Sequence, residues 1–348
     1  MIQKAGNKYG VHRVLEPEGV LPQPAVRLNN EFSEIYDNEI LCDVGTLNID
    51  AASFADIKER AGNNPNKIAR MMTDIVNTSG KHQNPRTGSG GMFMGQVAQI
   101  GNALKDRINL KEGDRIASLV SLSLTPLRVD EILAIHMDAD QVDIKGQAVL
   151  FESGVWARLP EDLPERLSLA VLDVAGAPAQ VERLAKPGDT VAVIGARGKS
   201  GLLCCYKAKQ KAGPEGRVIA VVHREEGKED VQNAPFVDEV IVGAADRALD
   251  LLRQVEQATG EKLCDIVINC ASRADCEMGA IMIAKDFAKV YFFSMATSFT
   301  KAALGAEGIG KDVDMIIGNG YCEGHAELAL EIMRESDYLR NLYIKRYC

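Results

Sequence analysis

The sequence predicts an α/β chain in two parts, a β-rich first half followed by a doubly wound parallel sheet. Three observations carry that reading. Short alternating apolar runs fill the first half, continuous apolar runs separated by helical stretches fill the second, and the character changes near Pro160-Glu161-Asp162-Leu163-Pro164. At 348 residues the chain is longer than one hydrophobic core usually serves, so two domains are the natural division. The expected boundaries are a β-rich domain over 1–165, completed by a C-terminal return over 326–348, and an α/β domain over 166–325.

Taken in order, Pro22 and Pro24 mark an extended entry strand. The runs 39–44, 95–100 and 114–119 alternate apolar and polar residues, with Lys111-Glu112-Gly113-Asp114 as a turn between two of them. One helix interrupts them over 66–77, where Ile68, Met71, Met72 and Ile75 recur at helical spacing. Downstream, continuous apolar runs stand at 190–194, 218–222, 239–242, 266–270, 290–294 and 315–318. The clearest intervening helix covers 246–259, with Asp246 as N-cap and Gly260 as the stop. Six apolar strands with crossovers argue for a parallel sheet covered on both faces.

Composition excludes several classes. The chain is 46% apolar and 26% charged, as an ordinary globular enzyme is. Its formal charge of -9 comes from interspersed residues, so no basic face offers itself to nucleic acid. Met1-Ile2-Gln3-Lys4-Ala5-Gly6 lacks the apolar stretch of a signal peptide, and no segment has the length of a bilayer span. A cytoplasmic protein without a membrane partner is therefore expected. Eight cysteines, Cys204 and Cys205 adjacent, lack the regular spacing of a disulfide framework and read as buried free thiols.

The strongest chemical signal is Gly195-Ala196-Arg197-Gly198-Lys199-Ser200-Gly201. It directly follows the first strand of the α/β half and opens a helix. One glycine makes the tight turn, one lets the backbone approach a pyrophosphate, and one lets the helix pack on the strand. The diphosphate then rests on the helix N-terminus, where N–H groups and the dipole favour an anion. Lys199-Ser200 follows Gly195 too soon for a Walker loop. All seven residues are candidate contacts to a nicotinamide dinucleotide, as are Asn269, Ser294 and Met295 near the ends of later strands. No acid stands where the second strand ends; His223 and Arg224 occupy that region. Either these cations receive a 2′-phosphate, or Glu225 or Glu226 reaches an unmodified ribose, so the cofactor is NAD or NADP. Gly88-Ser89-Gly90-Gly91 leads into a strand and reads as a hairpin or close-approach turn.

This layout resembles the medium-chain dehydrogenase/reductase superfamily: a GroES-like β-rich catalytic domain, then a Rossmann domain. Lys111-Glu112-Gly113-Asp114-Arg115 and Lys186-Pro187-Gly188-Asp189 resemble its turn signatures, and Gly195-x-x-Gly198-x-x-Gly201 its zinc-free, quinone-reductase branch. Four longer strings narrow the match: Tyr9-Gly10-Val11-His12-Arg13-Val14, Ser33-Glu34-Ile35-Tyr36-Asp37-Asn38-Glu39-Ile40-Leu41, Leu172-Asp173-Val174-Ala175-Gly176-Ala177-Pro178-Ala179-Gln180 and Phe292-Phe293-Ser294-Met295-Ala296-Thr297-Ser298-Phe299-Thr300-Lys301. Together they resemble the L-erythro-3,5-diaminohexanoate dehydrogenase family of anaerobic lysine fermentation over essentially the whole chain. The resemblance implies oxidative deamination at C3 of a small diamino acid. The other expected partner is a second copy of the chain, in a homodimer. A zinc-free enoyl or quinone reductase, or a redox sensor that only binds the dinucleotide, would share the fold.

Zinc-bearing members take ligands from a Cys and a His-Glu pair, whose corresponding stretches here read Leu47-Asn48-Ile49-Asp50-Ala51 and Gly90-Gly91-Met92-Phe93-Met94-Gly95. Neither supplies them, so no metal is expected. Proton transfer then falls to side chains. Asp173, among apolar neighbours that raise a carboxyl pKa, is the first candidate base. Glu152 is the second, against a structural role as a satisfied edge-strand acid. Lys301 is a candidate for the substrate carboxylate, against a solvated helix lysine. Lys81, His82 and Arg86 read as a basic loop.

Overall fold

The computed structural model describes residues 4–318 and 320–348. The chain divides into two compact units, residues 1–173 with 346–348 and residues 174–345.

The first unit holds β1 (Val14–Glu16), β2 (Arg27–Leu28), β3 (Glu39–Ile49), α1 (Ala51–Arg60), α2 (Pro65–Ser79), β4 (Gly91–Ile100), β5 (Arg115–Ser118), β6 (Leu127–His136), β7 (Gln141–Phe151), β8 (Trp156–Arg158) and α3 (Glu165–Leu172). Six of its strands form an antiparallel sheet in the order β6-β7-β3-β4-β5-β8. β3 is its centre, and its inward residues Ile40, Cys42 and Val44 share a core with Phe54 and Ile57 of α1 and Ile68, Met72 and Val76 of α2. Burying each such large side chain contributes roughly 1.5–3 kcal/mol.

Local signals set the ends of α2. The Asn64 side chain accepts the Lys67 N–H at 3.1 Å, Pro65 opens the first turn, and Gly80 closes the helix with φ 69°. The segment before β3 is anchored by a buried ion pair. Arg13 donates to both Glu39 oxygens at 2.6 and 2.8 Å, and His12 Nε2 meets Oε1 at 2.8 Å. Burial alone would raise the Glu39 pKa, but the bonds from Arg13 and His12 outweigh it and hold the carboxyl at about 2.

The second unit holds α4 (Gly176–Leu184), β9 (Thr190–Ile194), α5 (Lys199–Ala212), β10 (Arg217–Val222), α6 (Glu229–Gln232), β11 (Glu239–Val242), α7 (Ala248–Thr259), β12 (Cys264–Asn269), α8 (Glu277–Met282), β13 (Ala284–Phe292), α9 (Phe299–Ile309), β14 (Val313–Ile317), α10 (His325–Glu335) and α11 (Asp337–Tyr347). Its six strands are all parallel, in the order β11-β10-β9-β12-β13-β14. The order reverses at β9, so crossovers on either side leave a crevice at the strands' C-terminal ends. β9 and β10 are buried almost throughout, as strands covered on both faces should be.

Five expectations need correction. Pro22 and Pro24 lie in a three-residue turn, not a strand, because successive prolines cannot supply ladder N–H groups. A second helix, α1, precedes α2; it is only ten residues long, and its apolar periodicity is weak. α7 begins at Ala248 after Arg247, since the Asp246 carboxylate takes Arg273 at 2.6 Å instead of capping. The unit boundary falls after Asp173 instead of at 165, because α3 belongs to the first unit. Finally, all of the C-terminal return but residues 346–348 belongs to the second unit: α10 lies on α4 and α5, and the Tyr206 hydroxyl reaches Glu335 at 2.9 Å. Among the described residues no helix is long and apolar enough to cross a membrane.

Candidate active site

The glycine run between β9 and α5 makes the tight turn and the close helix packing expected of it. Gly195 has φ 77°, and a Cβ there would lie 2.8 Å from the Ala271 nitrogen, so the turn needs glycine on both counts. A Cβ on Gly201 would approach the Gly195 carbonyl oxygen to 2.3 Å, which fixes the helix close against the turn. At Gly198 a Cβ would meet only the Gly195 oxygen, at 3.3 Å. Sterics within the chain therefore demand little there, and the missing side chain leaves room for a ligand. Gly198 is also the N-cap of α5 and offers no side-chain oxygen to the first turn, so the helix start is left for an anion.

A pocket of about 460 Å³ opens at this point. Gly195, Arg197, Gly198, His223 and Arg224, all candidates for dinucleotide contact, line it together. The other candidates lie behind or beside it. Ala196 is fully buried, and Ser200 and Gly201 are buried in the first turn of α5. The Lys199 carbonyl accepts the Tyr343 hydroxyl, which ties α11 to the start of α5. Asn269 is buried, and its Oδ1 accepts the Ala271 N–H at 3.1 Å, holding the backbone that does line the pocket. Ser294 and exposed Met295 follow β13 outside that lining.

Sequence reasoning missed the opposite wall: Gly243 and Ala245 after β11, and Cys270 to Arg273 after β12. Their signal was position alone, since each follows a parallel strand on the side of the crevice. At the end of β10 the pocket receives an imidazole, a guanidinium and one acid. His223 and Arg224 line it beside Glu226, while Glu225 pairs with Lys228 at 3.6 Å.

The residues proposed for proton transfer fare differently. Asp173 is half-buried at the C-cap of α3, where its N–H donates to the Leu169 carbonyl at 3.1 Å. Glu152 follows β7 and accepts Asn38 Nδ2 at 3.1 Å and Arg107 at 2.7 Å. Those bonds hold its carboxyl below the usual range, which makes it a poor proton acceptor and matches the structural alternative. Lys301 is exposed on α9 and paired with Asp275, whose hydrogen bond raises its pKa. Lys81 and His82 are not an exposed basic loop. Lys81 is buried and donates to the Pro22 and Gln23 carbonyls at 2.8 and 2.9 Å, and burial lowers its pKa to about 8. Burial likewise lowers His82 to about 4.

The two stretches read for metal ligands lie side by side. Ile49 pairs with Gly91 across β3 and β4, and the Asp50 carboxylate accepts the Gly90 N–H at 3.1 Å. Asp50 sits at the α1 N-cap position without capping the helix, so its side chain faces this junction. Among the described residues no group of three or more His, Cys, Asp or Glu side chains is placed to hold a metal ion.

Comparison with known proteins follows the same division. Residues 12–160 match the L-erythro-3,5-diaminohexanoate dehydrogenase N-terminal domain. The chain is 54% identical to the L-erythro-3,5-diaminohexanoate dehydrogenase of Acetoanaerobium sticklandii, over 98% of this chain and 99% of that one. The enzyme of the same name from Fusobacterium nucleatum is 52% identical over 99% of each chain. The quinone oxidoreductase from Coxiella burnetii shares the fold, with a TM-score of 0.55 at 17% identity, over 86% of this chain and 80% of that one. That fold is the medium-chain dehydrogenase/reductase architecture, a GroES-like domain with a Rossmann domain. At this identity, over nearly the full length of both chains, the chain belongs to the L-erythro-3,5-diaminohexanoate dehydrogenase family.

Proposed function

We propose that this chain is an NAD(P)-dependent dehydrogenase that oxidatively deaminates C3 of L-erythro-3,5-diaminohexanoate, giving 5-amino-3-oxohexanoate and ammonia, a step of anaerobic lysine fermentation. The observation that carries this reading is the 54% identity to a named relative across both units. The glycine turn, the α5 N-terminus and the crevice they border supply the matching dinucleotide pocket.

When bound, the nicotinamide ring supplies the hydride acceptor for C3. The chain's own residues have three tasks. The α5 N-terminus holds the diphosphate, with Gly198 keeping the approach clear. A carboxylate takes a proton from the substrate ammonium, since an ammonium nitrogen has no lone pair to assist hydride departure. After passing that proton to solvent, the same group draws a proton from the water that attacks the resulting iminium carbon and returns it to the nitrogen. The C–N bond then breaks, ammonia leaves, and the hydroxyl proton is lost to give the ketone. Asp173 is our candidate for that base, with Asp50 as the second carboxylate to test; no metal enters the scheme. At the ribose end, Arg224 and His223 would favour a 2′-phosphate and Glu226 an unmodified diol, so the cofactor is NAD or NADP.

The test incubates the protein with 3,5-diaminohexanoate and either dinucleotide, with and without a chelator, and measures ammonium against reduced cofactor. One ammonium per cofactor reduced is expected, at a rate that rises with pH and is insensitive to chelation. Asp173→Asn should lower turnover roughly 10²–10⁴-fold while leaving dinucleotide affinity in place. Cofactor reduction without ammonium, or activity on an enone alone, would replace this reading with a zinc-free reductase.

A further inference from the structure

Two thiols far apart in sequence meet beneath the dinucleotide pocket. Cys204 lies in α5, the helix opened by the glycine turn, and Cys270 is the residue after β12. Their sulfurs are 3.9 Å apart and buried. Cys270 also lines the pocket wall and keeps 8% of its surface exposed, whereas Cys204 is fully enclosed. The β12–β9 register sets Asn269 opposite Ile194, and the Cys270 N–H donates to the Ile194 carbonyl at 2.9 Å. Cys270 is therefore fastened to the strand end from which the glycine turn departs.

We propose that Cys270 and Cys204 form an oxidative modification site, in which hydrogen peroxide entering the pocket drives closure of a disulfide that bound dinucleotide prevents. The inference rests on reading this pocket as the dinucleotide site. In the first step the Cys270 sulfur, releasing its proton, attacks peroxide and the O–O bond breaks. One oxygen stays on sulfur as a sulfenic acid, and the other leaves as hydroxide that takes up the released proton to give water. In the second step the Cys204 sulfur attacks the Cys270 sulfur, the S–O bond breaks, and a second water leaves. Two electrons pass from two thiols to one peroxide. The order of steps follows from access: the pocket reaches Cys270, and burial holds the Cys204 thiol well above its ordinary pKa.

Closure has a structural cost. A disulfide needs its sulfurs about 2 Å apart, so the two side chains must turn toward each other, or their backbones shift, from the present 3.9 Å. Any shift passed to the start of α5 or the end of β12 disturbs the pocket wall, and turnover should fall with cross-linking. Reduction restores it.

The experiment treats the full chain with graded hydrogen peroxide, with and without saturating NAD or NADP. Thiols are then alkylated and peptides mapped by mass spectrometry without reduction. A Cys204–Cys270 cross-link that forms in the free protein, is suppressed by dinucleotide and is reversed by dithiothreitol is the expected result. In Cys204→Ser the reaction should halt at a Cys270 sulfenic acid that dimedone traps. The exposed Cys348 is the internal reference. Oxidation of Cys348 while Cys204 and Cys270 stay reduced overturns the proposal. So does a cross-link that forms equally fast in protein shown by calorimetry to be saturated with dinucleotide. Calorimetry that detects no dinucleotide binding by the reduced chain instead refutes the pocket reading, and the cross-link still decides the thiol chemistry.

Discussion

Gly91 and Gly198 look alike in the sequence, each inside a run of closely spaced glycines, yet a methyl group at the two positions meets different surroundings. At Gly91, with φ 113°, a Cβ would lie 2.0 Å from the Asn48 carbonyl oxygen, where β4 crosses close to β3. At Gly198 the backbone φ of −69° suits any residue, and the nearest atom is 3.3 Å away. The first glycine is required by the fold, while the fold makes little demand for the second. What separates them is the element that follows. A strand's N–H groups are taken by its neighbour, whereas a helix start leaves N–H groups directed outward.

Replacing the first glycine should have the largest effect. Gly91→Ala forces a left-handed backbone and a clash with main-chain atoms, and should cost about 3–5 kcal/mol. Urea unfolding should show it as a lowered midpoint, with dinucleotide affinity intact in whatever protein remains folded. A wild-type midpoint would mean that the β3–β4 crossing relaxes without difficulty.

Acid acts on a buried histidine in each unit, His82 in the first and His325 in the second, since burial lowers the pKa of both. His82 titrates near 6.5 in an unfolded chain and at about 4 in the fold. Between those values the unfolded state binds the extra proton, so stability is complete above about pH 6.5 and falls as the pH drops toward 4, by up to about 3 kcal/mol. His82→Leu should flatten that segment of the stability–pH curve. Glu39 acts lower, its contribution being lost as the pH falls from 4.5 through about 2. A slope between pH 6.5 and 4 that survives the His82 change would assign it to other groups.

The smallest expected change in free energy belongs to the second glycine and is seen in binding. Gly198→Asp sets a side chain and a negative charge where the diphosphate must approach, and should weaken dinucleotide binding about 100-fold, or about 2.7 kcal/mol. The urea midpoint should barely move. Calorimetric titration with NAD and NADP checks it, and unchanged affinity with both would remove the glycine turn from the binding site.

Much of the fold was legible because its determinants are local. Parallel strands covered on both faces read as continuous apolar runs, and two of the six, β9 and β11, have the bounds that the runs suggest. The helix over 65–79 shows its own caps in Asn64, Pro65 and Gly80. The glycine turn was legible for the same reason, since glycine spacing, strand and helix are consecutive in the chain.

What the sequence could not decide is which polar groups the fold removes from water and which partners it gives them. Lys81 and His82 look like a surface loop until the turn at Pro22 and Gln23 covers the lysine with carbonyls. Glu152 reads equally as a base or as a structural acid until Arg107, 45 residues away, lies against it. Asp246 reads as a cap until Arg273 draws it aside. Cys204 and Cys270 are separated by 66 residues, and only the adjacency of β9 and β12 brings them into contact. Propensity, periodicity and capping act within a few residues of one another, so a single sequence displays them directly. Ionisation, hydrogen-bond satisfaction and thiol proximity depend on strand order and register, which exist only once the chain has folded.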